Sequence, residues 1–580
     1  MAETSKDSAI KGLDALYEFE REPVSRDKLQ PGKHFAGVFA GEHVAGTEFV
    51  IGAMFVAWGA SAYDIFVGLL LGNLMAVLTW AFVCAPIAVQ TRLTLYWYLR
   101  KIAGPVTTTV YNILNAMLFC VLAGCMITVS ASAVRTVFGT ERYPASGIPP
   151  QVGWIPTDIR FVLIVVLVGA VVVTLAILGF KKLAQFAEVC SPWMFLMFIA
   201  GAVVTMPLLA VNVLGGRISS FADFWKIATE SIWTGRAPVP EQQMSFWHVA
   251  AFAWICNLAM HGGLSDMALL RYARKASYGL YSAFGMFLGH YLAWICAGIM
   301  GAATALALGT TIDQLDAGGV AWQALGATGI IAVIIAGWTT SNPTLYRAGL
   351  AFQAVTPGWP RWLVTLIAGA ITTLIACSPF VFTRLLDFVG LYGLLLVPVG
   401  AIVFTEHWIF PKIGFTRYWV SKKKLLVSWP ALASWSIAMI AALVLNLTNI
   451  IHLFFLFVPV WLLTSILYII FASKAGAREK FTAEPEESTA PEPASYESET
   501  TAGQAEPTRQ KYGKDRVLLV CAIAALASLA ACIILPLWTY FSGGEAYSKN
   551  LALFKNLLIW PTVIYFITAT IWNIKRSKTD

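Results

Sequence analysis

Long apolar runs recur along the whole chain and are separated by polar segments. A helix rises about 1.5 Å per residue, so roughly 20 apolar residues cross a hydrocarbon core of about 30 Å. The runs are continuous, which favours helices over the alternating strands of a membrane barrel. The pattern predicts an all-α polytopic membrane protein with about 14 transmembrane helices, at residues 37–62, 64–88, 106–134, 161–180, 187–213, 247–264, 278–308, 319–340, 362–378, 383–405, 426–447, 450–472, 517–541 and 552–573.

The composition agrees with this pattern. Of the 580 residues, 58% are hydrophobic and 12% are charged, and the mean hydropathy is +0.70, far from the usual mixture of a soluble protein. The nine cysteines lie within or beside apolar runs and therefore indicate neither a disulfide framework nor a metal site. The polar first 34 residues carry no cleavable signal, so we expect the first membrane helix to direct targeting.

Basic residues mark every second loop. The positive-inside rule assigns such loops to the cytoplasm, and they contain Arg92, Arg100, Lys101, Lys181, Lys182, Arg271, Arg274, Lys275, Lys422, Lys423 and Lys424. Both termini then lie inside, and the net charge of +8 reflects topology rather than a nucleic-acid surface. We expect a multi-pass protein of the cell (inner) membrane, with the lipid bilayer as a partner.

Changes in composition divide the chain into four predicted segments. These are a cytoplasmic N-terminal segment at 1–34, a twelve-helix transporter core at 35–472, a disordered acidic, Pro-rich cytoplasmic linker at 473–516, and a C-terminal transmembrane helix pair at 517–580. The linker is rich in Glu, Pro and Ser and poor in large apolar residues, which is typical of disorder. It is interpreted as a tether or as a regulatory tail.

Three parts of the chain carry a family resemblance. The sequences are AYDIFVGLLLGNLMAVLTW at 62–80 with TRLTLYWYLRKIAG at 91–104, GGLSDMALLRYARK at 262–275 with FGMFLGHYLAWICAGIMGAATALALG at 284–309, and GWTTSNPTLYRAGL at 337–350. In this order they resemble the second, the sixth to seventh and the eighth helices of the nucleobase:cation symporter family, which is purine/cytosine permease-like. The resemblance covers about residues 35–410.

The resemblance implies the five-plus-five inverted-repeat fold of the leucine transporter type, with extra C-terminal helices. In that fold the first and sixth helices are broken at mid-membrane and the substrate lies between them. Broken helices leave unpaired backbone groups, and a bilayer tolerates these only where they line a cavity or bind a ligand.

The expected first break is GEHVAGTE, residues 41–48. Glu42, His43 and Glu48 place ionisable groups within the span, which is costly and usually functional. Together with Gly46 and Thr47, Glu48 is a candidate for the substrate site. Buried, Glu42, His43 and Glu48 suit a proton relay or a cationic solute, with Glu48 slightly ahead of Glu42. Alternatively, the first helix begins near Thr47, and Glu42 and His43 lie on its cytoplasmic approach.

The expected second break is NLAMHGGLSD, residues 257–266. Asn257 offers a donor and an acceptor to an amide-like ring edge, or makes an ordinary interhelical hydrogen bond. The aromatic candidates for stacking are Trp254 and Phe119, the latter aligned near a Trp of the family; packing is the alternative role of both. A gating or structural salt bridge is expected from Asp266, Arg271 and Arg274.

The eighth helix carries the candidate ion site. The resemblance matches Thr339, Thr340 and the carbonyl of Ala336 to positions that ligate sodium in family members, whereas Thr hydroxyls also commonly bond to their own helix. Near the polar substrate-facing stretch, Ser341 and Asn342 are further candidates, and Asn342 with Pro343 is expected to end or kink the helix. Two departures from the family pattern, Ser341 in place of Asn and Arg347 in place of Ser, leave the substrate open.

The sequence as a whole predicts a secondary active transporter that works by alternating access. The family-implied solute is a nucleobase or related nitrogen heterocycle, coupled to sodium at Thr339 and Thr340 or to protons at Glu42 and Glu48. Motifs for catalysis, phosphate binding or metal clusters do not accompany the spans, so neither an enzyme nor a cofactor is expected. The alternatives are a transporter of a cationic or amino-acid-like solute on the same fold, a membrane sensor or transceptor, and a channel.

Overall fold

The computed structural model describes residues 16–137, 159–312, 315–378, 385–481 and 516–577. These residues are mainly helical, and ten of the helices they form are long and apolar enough to cross a membrane. The expectation of an all-α polytopic membrane protein is confirmed, while the number of fourteen spans stays a prediction. The four-segment division of the chain also stays a prediction, because residues 482–515 of the linker lie outside the described residues.

The main helices are numbered here in chain order. They are α1 (Gly32–His43), α2 (Glu48–Ala57), α3 (Asp64–Thr91), α4 (Leu95–Ala103), α5 (Pro105–Val137), α6 (Ile159–Leu178), α7 (Phe180–Leu214), α8 (Phe246–Ile255), α9 (Ala276–Leu308), α10 (Ala327–Gln353), α11 (Arg361–Ala376), α12 (Leu385–Phe404), α13 (Trp429–Leu447), α14 (Phe457–Ala475), α15 (Arg516–Ser542), α16 (Gly544–Leu557) and α17 (Ile559–Arg576).

The first apolar span is broken in its middle. α1 ends at His43 and α2 begins at Glu48, with Val44 to Thr47 between them. Glu42 and His43 belong to α1 and are only 4% and 2% exposed. The predicted break is therefore confirmed, and the alternative in which the first helix begins near Thr47 is wrong.

The sixth span is broken as well. α8 ends at Ile255, and the chain continues as the short helices Leu258–His261 and Met267–Leu270. Between these two helices Leu264 adopts a positive φ of 63°, which interrupts the right-handed helical backbone. The second expected break is thus also confirmed.

The predicted span at 319–340 is wrong. The chain forms a short helix, Ala317–Leu325, turns at Gly326 with a φ of +63°, and continues as α10 through Pro343 to Gln353. Asn342 and Pro343 therefore do not end the helix. Membrane helices tolerate an internal proline because neighbouring groups satisfy the freed backbone.

Small residues bring the helices of the core into close contact, as is usual in membrane bundles. Gly52 of α2 lies against the carbonyl of Trp294 in α9, and Gly289 lies against the carbonyl of His43. Gly337 of α10 lies against the hydroxyl of Ser130 in α5. A Cβ at any of these positions would overlap its neighbour.

Helices α3 and α9 contain π-helical segments, and others lie at Ala228–Ile232 and at Thr405–Ile409, directly after α12. Those in α3 are Asp64–Gly68 and Trp80–Cys84, and the one in α9 is Phe284–Tyr291. Segments of this kind are frequent at functional sites. Trp80 and His290, which belong to two of them, are 0% and 3% exposed.

The C-terminal helices pack on α7. The indole of Trp193 donates to the hydroxyl of Thr562 at 3.1 Å, and the hydroxyl of Tyr565 donates to the carbonyl of Val189 at 2.7 Å. Buried hydrogen bonds of this kind fix the orientation of helices within a bilayer. α17 is thereby fixed against the core.

Glu188 of α7 joins α17 to α1. One carboxylate oxygen pairs with the Nδ1 atom of His34 in α1, and the other accepts a hydrogen bond from Asn573 in α17 at 3.3 Å. A Cβ at Gly37 of α1 would fall against the Glu188 side chain. Glu188 therefore bridges the first helix and the last.

Replacing Gly52 by Ala is expected to destabilise the bundle. The added methyl meets the Trp294 carbonyl and the methyl of Ala297, and overpacking costs about 1–3 kcal/mol. The unfolding temperature of the purified protein in detergent measures this loss. Gly216→Ala is the matched control, because nothing lies within 4 Å of a Cβ at that position. Equal unfolding temperatures for the two variants would contradict the packing of α2 on α9.

Candidate substrate and cation site

A cavity of about 50 Å³ lies where the two broken helices meet. Its walls come from both parts of the first span, from the second break and from α5, α9, α10 and α12. The lining residues are Glu42, Ala45, Thr47, Glu48, Ile51, Leu122, Met126, Cys256, Asn257, Met260, His290, Thr340, Thr344 and Tyr392. Such a volume holds a few water molecules, so side chains must move apart before a ring-sized solute fits.

Three of the predicted substrate residues, Thr47, Glu48 and Asn257, line this cavity. Gly46, which stands between the lining residues Ala45 and Thr47 in the sequence, is not itself among the lining residues. A Cβ on Gly46 would meet the carbonyl of Val333 at 3.1 Å. Its role is to let the break approach α10 closely.

The predicted aromatic candidates are not part of the lining. Phe119 packs against Tyr392, with ring centroids 5.9 Å apart. The indole of Trp254 donates to Thr79 at 3.1 Å, and its ring packs on Phe457. Packing, the alternative role, is the one both side chains have here, and Tyr392 is the aromatic residue at the cavity wall.

Ser341 and Asn342 also lie outside the lining. The hydroxyl of Ser341 donates to the carbonyl of Ala123 in α5 at 3.4 Å, and Asn342 is 1% exposed. Because α10 continues as a helix through Pro343, the cavity side of α10 instead carries Thr340 and Thr344.

Glu48 opens α2 and anchors a cluster of aromatic and imidazole rings. Its carboxylate accepts a hydrogen bond from the indole of Trp294 and lies 3.7 Å from Nε2 of His290. The His290 ring stacks on Trp294 and makes an edge contact with His43, whose centroid is 5.1 Å away.

Glu48, His290 and His43 form a continuous file of ionisable groups. In the part of the chain that the structure describes, Nδ1 of His290 and Nε2 of His43 have no hydrogen-bond partner. The sequence reasoning missed His290 and Trp294. An ionisable residue inside the apolar run of α9 was the available signal for His290.

Arg347 pairs with two carboxylates in the interior of the protein. Its guanidinium donates to both oxygens of Glu42, at 2.6 and 3.0 Å, and through Nε to Asp266 at 3.0 Å. The indole of Trp80 donates to the other oxygen of Asp266 at 2.6 Å. Bidentate pairs of this kind are the strong ones. Arg347, Glu42 and Asp266 are named the charge triad below.

The expected salt bridge of Asp266 with Arg271 and Arg274 is therefore wrong. Arg271 donates to the carbonyl of Phe19 at 2.6 Å and to the hydroxyl of Tyr346 at 3.3 Å, and Arg274 is exposed. The physical reason is the length of α10. Because that helix does not end at Pro343, it carries Arg347 into the interior beside Asp266.

The predicted ion-site residues do come together. The hydroxyl of Thr340 lies 2.8 Å from the carbonyl oxygen of Glu42 and 3.0 Å from that of Ala336, and the hydroxyl of Thr339 lies 3.1 Å from the latter. Two hydroxyls and two carbonyls suit a hard cation such as Na⁺. Both hydroxyls also bond to their own helix, so the alternative role is equally present.

The basic loops meet at one end of the bundle, named the basic end. The described part of the N-terminal segment, residues 16–34, lies across it: Val24 donates its backbone N–H to the carbonyl of Arg92 at 3.0 Å, and the carboxylate of Glu18 accepts from the hydroxyl of Tyr346 at 2.7 Å. Burial raises the pKa of Glu20, which lies 3.6 Å from Arg361, and that guanidinium opposes the rise.

No family model matches the chain. Among curated proteins, it is similar to the cytosine permeases of Escherichia coli strain K12 and of E. coli O157:H7, each 26% identical over 202 residues. The matched segment covers 34% of this chain and 44% of each permease. The chain therefore spans less than half the length of the curated relatives it matches.

Solved structures match over most of the chain. A nucleobase-cation-symport-1 family transporter in a closed conformation with bromovinylhydantoin bound gives a TM-score of 0.59 at 15% identity, covering 81% of this chain and 98% of the other. A Na⁺-coupled sialic acid symporter in a substrate-bound outward-open state gives 0.55 at 15% identity, covering 82% and 97%. At this identity the likeness establishes the fold, which is the expected leucine transporter type. The resemblance to nucleobase:cation symporters is confirmed.

Replacing Arg347 by Met is expected to cost about 3–5 kcal/mol of stability, because it leaves Glu42 and Asp266 buried without their cation. A triple variant that carries Glu42→Gln and Asp266→Asn together with Arg347→Met is expected to recover most of the lost stability, because no buried charge is then unpaired. Unfolding temperatures in detergent measure both effects, with Arg274→Met as the exposed control. Near-native stability of Arg347→Met alone would show that the charge triad does not hold the fold.

Proposed function

We propose that this chain is a secondary transporter that takes up a nucleobase or related nitrogen heterocycle by cation-coupled alternating access. The supporting observation is that two broken helices face one buried cavity whose wall carries Glu48, Asn257 and three threonines, Thr47, Thr340 and Thr344. Polar backbone and side chains inside a bilayer need a polar ligand. The likeness to cytosine permeases and to a hydantoin-bound transporter supports the heterocycle.

The cavity groups match the edge of such a ring. A cyclic amide or amidine presents hydrogen-bond donors beside acceptors, and the Asn257 side chain offers both kinds of group. Glu48 accepts from a ring N–H, and Tyr392 supplies an aromatic surface to one ring face. Thr47 and Thr344 add hydroxyls that act as either donor or acceptor.

Sodium is the proposed coupling ion. It would bind the hydroxyls of Thr339 and Thr340 and the carbonyls of Ala336 and Glu42, and would thereby join α1 to α10. A cation that binds better when these helices are together shifts the equilibrium towards that state. The Na⁺-coupled sialic acid symporter of the same fold supports this choice.

Proton coupling is the competing arrangement. Glu48, His290 and His43 would carry the proton, because Glu42 is held by Arg347 in the charge triad. In either arrangement, the positive-inside rule puts the basic end in the cytoplasm. Both termini then lie inside, and the N-terminal segment covers the cytoplasmic side of the core.

A cationic or amino-acid-like solute is the second candidate. One observation favours it: the Glu48 carboxylate faces the cavity with an indole N–H and an imidazole beside it, and no Lys or Arg is among the cavity's described lining residues. A cationic solute would supply the missing charge. The solute panel below separates the two candidates.

Replacing Thr340 by Val is expected to raise the sodium concentration for half-maximal uptake by about tenfold or more, because the cation loses one oxygen ligand. Uptake of labelled cytosine, uracil or hydantoin into proteoliposomes under a sodium gradient measures this. Thr174→Val is the matched control, since its hydroxyl bonds only to Ala170 of its own helix. If uptake by both variants depends on pH and not on sodium, the coupling ion is the proton and the sodium proposal is wrong.

Replacing Glu48 by Gln tests the solute. A neutral heterocycle keeps an acceptor and is expected to bind about tenfold more weakly, whereas a cation loses its counter-charge and its binding altogether. Thermal stabilisation by nucleobases, hydantoins, polyamines and amino acids, with and without sodium, measures binding. Glu241→Gln is the exposed control. If only the cationic solutes stabilise the unaltered protein, the proposal that the solute is a neutral heterocycle is wrong.

A further inference from the structure

A second cavity, of about 510 Å³, opens at the surface of the basic end. It lies between the N-terminal segment, the end of α4, the start of α5 and the turn that follows α10. Its lining residues are Arg21, Trp97, Arg100, Pro105, Val106, Thr109, Val110, Ala354, Val355 and Pro357. We name it the arginine groove.

The charge of the arginine groove is positive. Arg21 and Arg100 are in its wall, and no acidic residue is among its described lining residues. Arg21 is held in place by a hydrogen bond of 2.8 Å from Nη2 to the carbonyl of Gln353, while its Nε atom is buried without a partner. The guanidinium of Arg100 lies over the Trp97 ring, 4.7 Å from the centroid. The N-terminus of α5 adds a partial positive charge.

One wall of the groove continues into the lipid-facing surface. Val106 and Val110 line the groove and are 49% and 54% exposed, and Ile113 and Met117 extend the same exposed stripe along α5. Their spacing places them on one face of the helix. The groove thus joins a cationic pocket to an apolar track at the membrane surface, with Trp97 at the boundary where such rings are enriched.

We propose that the arginine groove binds an anionic phospholipid, with its phosphate at Arg21 and Arg100 and an acyl chain along the α5 stripe. A guanidinium pairs well with phosphate oxygens, and the unpartnered Nε of Arg21 gains an acceptor. A free phosphate would use the two arginines but leave the apolar track unused. The lipid would hold Arg21, and with it the N-terminal segment, against the end of α10.

Thermal unfolding of the full-length purified protein in neutral detergent tests the proposal. Phosphatidylglycerol and phosphatidylcholine with the same acyl chains are added in parallel, and glycerol 3-phosphate is added without chains. We expect phosphatidylglycerol to raise the unfolding temperature more than phosphatidylcholine, with no effect of glycerol 3-phosphate. Arg100→Gln is expected to reduce this difference by roughly half, since each base near the headgroups contributes comparably, and Arg21→Gln with Arg100→Gln to remove it.

Lys181→Gln is the control, because Lys181 is an exposed base in the first turn of α7, outside the groove. Equal losses in Arg100→Gln and Lys181→Gln would mean unspecific surface charge and overturn the site. If glycerol 3-phosphate stabilises the protein and phosphatidylglycerol does not, the groove binds a free anion and the lipid proposal is wrong. If the two lipids stabilise the protein equally, the groove does not recognise the negative charge of the headgroup and the proposal is wrong. None of these outcomes depends on the proposed transport function.

Discussion

Charges inside a membrane protein must be paired, and in this chain one guanidinium pairs with two carboxylates from both broken helices. Glu42 lies in the last turn of α1, Asp266 is the last residue of the second break, and Arg347 belongs to the continuous helix α10. Broken helices have unpaired ends and fewer internal constraints than whole ones. The charge triad supplies the missing constraint, because separating any of its members exposes an unpaired charge in a medium that does not solvate it.

Glu42 has two functions at once on the proposed mechanism. Its side chain belongs to the charge triad, and its backbone carbonyl belongs to the candidate cation site with Thr340. Any displacement of the end of α1 therefore changes both places together. Binding of a cation and the pairing of Glu42 with Arg347 become coupled through one residue, without a longer path between separate sites.

The sequence was informative where a residue type is costly in a membrane. Glu42, His43 and Glu48 marked the first break because ionisable groups are rare there without a purpose, and the threonines of α10 were found through the family resemblance. The partner of Asp266 was missed for a physical reason. Asn342 and Pro343 were expected to end or kink the helix, and Arg347 was considered only as a departure from the family pattern and not as an ionic partner. The sequence also did not show which side of each helix faces the cavity. Whether Phe119 or Tyr392 reaches the cavity depends on the rotation of its helix, which is decided by packing and not by residue spacing.

Glu188 divides its two oxygens between His34 of the first helix and Asn573 of the last, which is 385 positions away in the chain. A swing of α1 away from α7 must either break the contact with His34 or strain the one with Asn573. The C-terminal helices contribute no residue to the described lining of the cavity. Through Glu188 they instead restrain the movement of α1. On the proposed alternating-access cycle, we expect this restraint on α1 to slow turnover.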